Sequence, residues 1–182
     1  EIAPQWDDIV AGLTADGPQT RRVGLVQGLP WLVDSSVDRA WTGVAVLDVL
    51  ARLCRDDSRD VRSAAVVAAS TVVLRLGGDW GRMPVEPDRV LRDATITAEA
   101  RAVVSKRWSA TFDEGDAPSR WQDVLSDTSL SADLRQRFWH DLREAATTRD
   151  RRVTLSQIAG QVAAIEPDQD IQTLLNELRR GN

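Results

Sequence analysis

Apolar residues in this chain recur every three or four positions far more often than every second one, the spacing of one face of an α-helix. Trp6, Ile9, Val10 and Leu13 keep that spacing and run into Asp16-Gly17-Pro18, so they predict a first helix with a defined stop. Residues 20–32 continue the pattern, with Pro30 in the last turn, where a missing N–H and a ring clash should kink or end the helix. Val37, Ala40, Val44, Leu47, Ala51 and Cys54 predict the buried seam of a third helix, with Ser35 or Ser36 as N-cap and Asp48, Arg52 and Arg55 on the wet side. Residues 59–76 are apolar nearly all round, which predicts a helix covered by neighbours on more than one side. Its alanines permit close approach, and Gly77-Gly78 ends it.

Gly77, Gly78, Gly81, Pro84 and Pro87 crowd a stretch that cannot be helix interior and predict a boundary or an exposed loop. Pro87 suits the first position of a short helix holding Val90 and Leu91. Ile96, Ala100, Val103, Val104 and Trp108 predict a helix over 97–110, followed by an acidic loop at 113–118. Ser119 with Gln122, and Thr154 with Gln157, have the spacing of capping boxes and predict two helix starts. Between them, Leu134, Phe138 and Leu142 mark a helix over 132–146. Pro167 opens the last one, whose stripe is Ile171, Leu174, Leu175 and Leu178. No alternating run bounded by hairpin residues occurs. The expectation is an all-α chain of eight or nine helices, either a right-handed α-solenoid-like stack or an irregular helical bundle. Residues 1–78 would form one layer and 79–182 a second, packed on the first as one compact unit.

One run carries a resemblance. Leu50-Ala51-Arg52-Leu53-Cys54-Arg55-Asp56-Asp57-Ser58-Arg59-Asp60-Val61-Arg62-Ser63-Ala64-Ala65 is similar to the turn of a HEAT repeat, with a leucine-rich first helix, an Asp-bearing turn, then Val-Arg and small residues opening the second helix. A weaker copy spans 29–40, and the resemblance covers residues 20–78. It implies stacked helix pairs, with Asp57, Val61 and Arg62 as structural residues and the Asp57–Arg62 pair tying neighbouring repeats together. Activity is not implied by it.

Composition narrows the chemistry. Among 182 residues there is one cysteine, Cys54, and one histidine, His140, so an intrachain disulfide and a paired-thiolate zinc site are excluded. The net charge of −5 argues against a chain built to attract nucleic acid. No apolar run approaches the ~20 residues of a membrane span. A lone thiol favours a reducing, cytoplasmic setting, and the near-exclusive use of arginine, with Lys106 the sole lysine, has a bacterial look. Cys54, at the end of a predicted seam, should be buried and inert. His140 has Glu144 one turn on, which would orient its ring for acid–base work, yet Phe138 and Leu142 place the core on another side and leave His140 facing solvent.

Seven tryptophans stand beside no tyrosine. Most are expected as core or inter-helix fillers. Trp80 has no helical stripe to join, so it either plugs the core or, with Arg82, anchors a partner. The arginines Arg149, Arg151 and Arg152 are the other interaction candidates. Taken together, these features predict a non-enzymatic interaction or regulatory module that meets another protein or another domain of a longer, bacterial signalling chain, without cofactor, metal or membrane. Nucleic-acid binding or repair on a HEAT-like concave face is the first alternative, and an enzyme using His140 the second.

Overall fold

The structure is a computed structural model and describes residues 18–180. The helix expected around Trp6–Leu13 lies outside the described residues. Among those residues there are nine α-helices and no strand. They are α1 (Gln19–Ser35), α2 (Arg39–Leu53), α3 (Arg59–Arg75), α4 (Pro87–Arg92), α5 (Ala98–Trp108), α6 (Ala117–Leu125), α7 (Ala132–Ala145), α8 (Arg149–Val162) and α9 (Gln169–Arg180), with short 3-10 turns at Trp80–Arg82 and Ser109–Thr111. The all-α class expected from the three-four spacing is therefore the class observed. The chain divides into two compact units between Arg101 and Ala102, within α5, rather than at residue 78. The glycine-rich stretch does not separate units because residues 95–97, on its far side, are tied back to α3. The Thr97 N–H donates to Ser63 Oγ at 3.0 Å, and the Arg62 guanidinium donates to the Thr95 carbonyl at 3.4 Å.

In the first unit α3 packs against both α1 and α2. Ala64, Ala65, Ala68 and Ala69 are all buried on it, alongside Val61, Val66, Val72 and Val73, so small side chains let two neighbours approach one helix. Ser58 caps its start by accepting from the Val61 N–H. Gly77 and Gly78, at φ of 102° and 81°, turn the chain out of it, and the Gly78 N–H donates to the Val73 carbonyl at 2.9 Å.

Pro30 does not end α1, which runs on to Ser35. Its last turn is held from outside: Arg75 donates to the Pro30 carbonyl and pairs with Asp34 at 3.1 Å, while Val33 is fully buried. Burial and ion pairing outweigh the one backbone bond that proline removes. The buried face of α2 also differs from the expected seam. It consists of Thr42, Gly43, Val46, Leu47, Leu50 and Leu53, whereas Val37 and Val44 are exposed. The helix carries two overlapping three-four series, and packing against α1 and α3 selects the one whose Gly43 admits Leu76, against which a Cβ would lie at 2.6 Å. Asp38, not Ser35 or Ser36, caps α2, accepting from the Trp41 N–H at 3.0 Å.

The second unit is built on aromatic packing. Trp108 stacks on Trp121 with ring centroids 4.5 Å apart, and Phe138 meets Trp121 edge-on at 6.3 Å. Two expected helix starts shift. α6 begins at Ala117 with Pro118 in its first turn, ahead of Ser119, and α8 begins at Arg149, capped by Thr148. Thr154 thus sits inside α8, where its hydroxyl donates to the Asp150 carbonyl. A buried ion pair links α7 to the turn before α9. Arg135 donates to Glu166 at 2.8 Å and to the Leu130 carbonyl at 2.6 Å, and Glu166 also accepts from the Asp168 N–H at 2.9 Å.

Candidate functional site

Helices α1, α2 and α3 of the first unit run up, down and up, so the end of α1, the start of α2 and the end of α3 come together. Arg75 of α3 reaching Pro30 and Asp34 of α1, and Leu76 seated on Gly43 of α2, mark that meeting point. This end of the unit carries its exposed large apolar side chains. Trp31 is 68% exposed, Trp41 54% and Val44 50%, with Val37 and Leu74 also open to solvent. Trp41 and Val44, three apart, share one side of α2, and Val37 lies exposed in the bend just before the Asp38 cap. On α1, Trp31 lies under the Arg75 guanidinium, 5.4 Å from the ring centroid. That arginine is held by Asp34 and the Pro30 carbonyl, so the indole is propped in place by a group that is itself anchored.

Charge around this face is mixed. Asp34 and Asp38 stand beside Arg39 and Arg75 on the elements that meet here. A surface that tracks a phosphate backbone needs an excess of cations, which this face does not have. Two tryptophans with a cation–π arginine and a valine row have instead the composition of the energetic centres of protein interfaces.

Most tryptophans are expected as packing residues, so the exposure of Trp41 on a helix, with Trp31 beyond Pro30, is the main departure from the sequence-based picture. The signal that points to it is weak. Trp41 lies one step off the buried series of α2, and Trp31 follows a proline in the last turns of α1. Trp80, the expected candidate, is half-buried in the Trp80–Arg82 turn with its indole nitrogen turned inside, and that turn packs against α3. Arg82 pairs with its own neighbour Asp79 at 3.2 Å.

Arg149 and Arg152 are exposed on α8. Arg151 is engaged internally: its Nε pairs with Asp113, and its two terminal nitrogens donate to the carbonyls of Ala145 and Ala110, at 3.3 and 2.9 Å. It therefore ties the 110–113 turn to α8. Of the HEAT-like residues, Val61 is fully buried and Arg62 donates to the carbonyls of Asp56 and Asp57 at 2.5 and 2.9 Å. The side chain that links α1 to this turn is Asp56, through Arg22, rather than Asp57.

Cys54 is buried, and burial pushes its thiol up to about 12, with Arg55 pulling weakly the other way. Such a thiol is a poor nucleophile at neutral pH. His140 is exposed on α7, and Glu144, which would have oriented its ring, pairs with Lys106. Among the described residues no group of three or more His, Cys, Asp or Glu side chains is placed to hold a metal ion, and no helix is long and apolar enough to cross a membrane. No family model, curated protein or solved structure matches the chain.

Proposed function

We propose that this chain is a non-enzymatic helical interaction module whose docking face is the exposed end of the α1–α2–α3 layer, and that its partner is another protein or another domain of a longer bacterial signalling protein in the cytoplasm. The observation that carries this reading is the exposure of Trp31, Val37, Trp41 and Val44 on the elements that meet at this end. Solvating two indoles that a core would otherwise take forgoes roughly 1.5–3 kcal/mol each, and a partner that covers them recovers it. The occupant favoured by this chemistry is an apolar helix or groove with a polar rim, because the flanking Asp34, Asp38, Arg39 and Arg75 offer both signs of charge at the edge of an aromatic centre. The same mixed charge disfavours nucleic acid, and the pairing of Glu144 with Lys106 leaves His140 without the orienting group that acid–base catalysis requires.

The experiment is site-specific photo-crosslinking in the cells that encode the chain. A photoreactive residue replaces Val44 in one strain and Arg152 in another. The expected result is one adduct of defined mass from position 44 only, lost when Trp41→Ala is added. Equal labelling from both positions, or none from position 44, overturns the proposal.

A further inference from the structure

Within the second unit a cavity of about 300 Å³ opens between the end of α5 and the last turns of α7, lined by Lys106, Ser109, Asp141, Glu144, Thr147 and Arg151 among others. Its charges are not equivalent. Lys106 and Glu144 pair with each other and are both largely exposed. Arg151 is spent on Asp113 and on two backbone carbonyls.

Asp141 is different. Its side chain is only 4% exposed, and Oδ2 accepts a 2.6 Å hydrogen bond from Ser105, which is completely buried. The cation paired with Oδ1 is Arg137, which stands 3.8 Å away, beyond hydrogen-bond length, on a side chain that is 61% exposed. A buried carboxylate ordinarily fills its acceptor sites with close donors, since burying a charge is costly otherwise. Here one oxygen is secured by a fixed serine, the other has no donor within hydrogen-bond length among the described residues, and the residue lines the cavity. Ser109 adds to it: the hydroxyl donates to the Lys106 carbonyl at 3.0 Å, which leaves its oxygen lone pairs for a donor in the cavity.

We propose that this cavity binds a cationic nitrogen head, an ammonium or guanidinium group, on Asp141 Oδ1 with Ser109 Oγ as second acceptor. Entry displaces Lys106 from Glu144, which frees a second carboxylate at the rim. The volume sits at the bottom of the range for ligand pockets, so it admits a head group with a few methylenes and not a larger molecule. The source of the head is either a free small cation or an arginine or lysine side chain of a partner protein. The residues are distinct from those of the α1–α2 face, so either proposal can fail while the other stands.

The test is a titration of the full ¹⁵N-labelled chain followed by amide chemical shifts, using methylguanidinium, propylammonium and doubly capped arginine, with doubly capped citrulline as the neutral isostere. Saturable shifts confined to residues 105–111 and 137–151 are expected with the cations and not with citrulline. Asp141→Asn keeps the acceptor for Ser105 and should weaken binding by about tenfold or more. Should that variant not fold, Ser109→Ala should weaken it by several-fold instead. Capped arginine binding about tenfold tighter than methylguanidinium assigns the head to a protein side chain, and equal affinity assigns it to a free cation. Citrulline binding as well as arginine, shifts that stay linear with concentration, or a folded Asp141→Asn that binds unchanged, overturns the proposal.

Discussion

Replacing Arg135 with methionine is expected to cost far more than replacing both Arg135 and Glu166. The two side chains are 4% and 1% exposed and share a 2.8 Å contact between Arg135 Nη2 and Glu166 Oε1. Arg135→Met fills most of the volume but leaves the Glu166 carboxylate buried, with the Asp168 N–H as its remaining donor. Breaking a buried pair from one side costs about 3–5 kcal/mol, because an uncompensated charge stays in low dielectric. The Leu130 carbonyl also loses the 2.6 Å bond from Arg135, adding about 1 kcal/mol. In Arg135→Met with Glu166→Gln no charge remains, and the amide oxygen still accepts from Asp168. That double variant should lie within about 1–2 kcal/mol of the parent, the difference being the Leu130 carbonyl. The assay is urea unfolding followed by tryptophan fluorescence and circular dichroism, with all four members of the cycle compared at one m-value. A double variant as unstable as Arg135→Met, or additive single costs, would refute the view that charge burial dominates this contact.

Other consequences are more direct. Gly24 and Gly28 lie in α1 where an added Cβ meets nothing within 4 Å, so Gly24→Ala and Gly28→Ala should each stabilise by about 0.5–1 kcal/mol and raise the melting temperature, while Gly77→Ala, at φ +102°, should lower it. Ala65 is fully buried in α3, so Ala65→Asp should cost more than about 3 kcal/mol in the same urea assay. The Cys54 thiol is raised in the fold from 9.0 to about 12, so its contribution is complete below about pH 9 and is lost as pH rises toward 12. The chain has no tyrosine to titrate in that window, so Cys54→Ala should flatten the alkaline fall in stability, and alkylation of the native thiol at pH 8 should be slow. Trp31→Ala and Trp41→Ala should shift the melting transition little, as both indoles are more than half exposed; a loss comparable with truncating Trp121 would place them in the core.

The class of fold, the existence of most helices and the extent of several were legible in the residues themselves, because helical spacing is a local property. α4 begins at Pro87 and α7 at Ala132 as the sequence predicts, and α3 stops at Arg75, just before the Gly77-Gly78 pair. The apolar circumference of α3 already implied cover on several sides, and both α1 and α2 lie against it. What one helix cannot encode is the choice between two faces it is equally able to bury. α2 presents apolar residues in two overlapping series, and the close fit of Leu76 against Gly43 decides for Val46, Leu50 and Leu53 and leaves Trp41 and Val44 in solvent. The capping signals at Ser119 and Thr154 failed for a related reason. A Ser/Thr-x-x-Gln spacing is satisfied wherever it occurs, but the helix starts where packing and proline stereochemistry allow, at Ala117 and Arg149. Arg151 read as surface charge because nothing near it in sequence required otherwise, and only the return of Asp113 and Ala110 to its side turned it into a structural tie. The candidate face on α1–α2 and the Asp141 cavity likewise depend on residues far apart in the chain. Local spacing determined the helices, and the competition among their faces for a limited interior decided which side chains were left over to do something else.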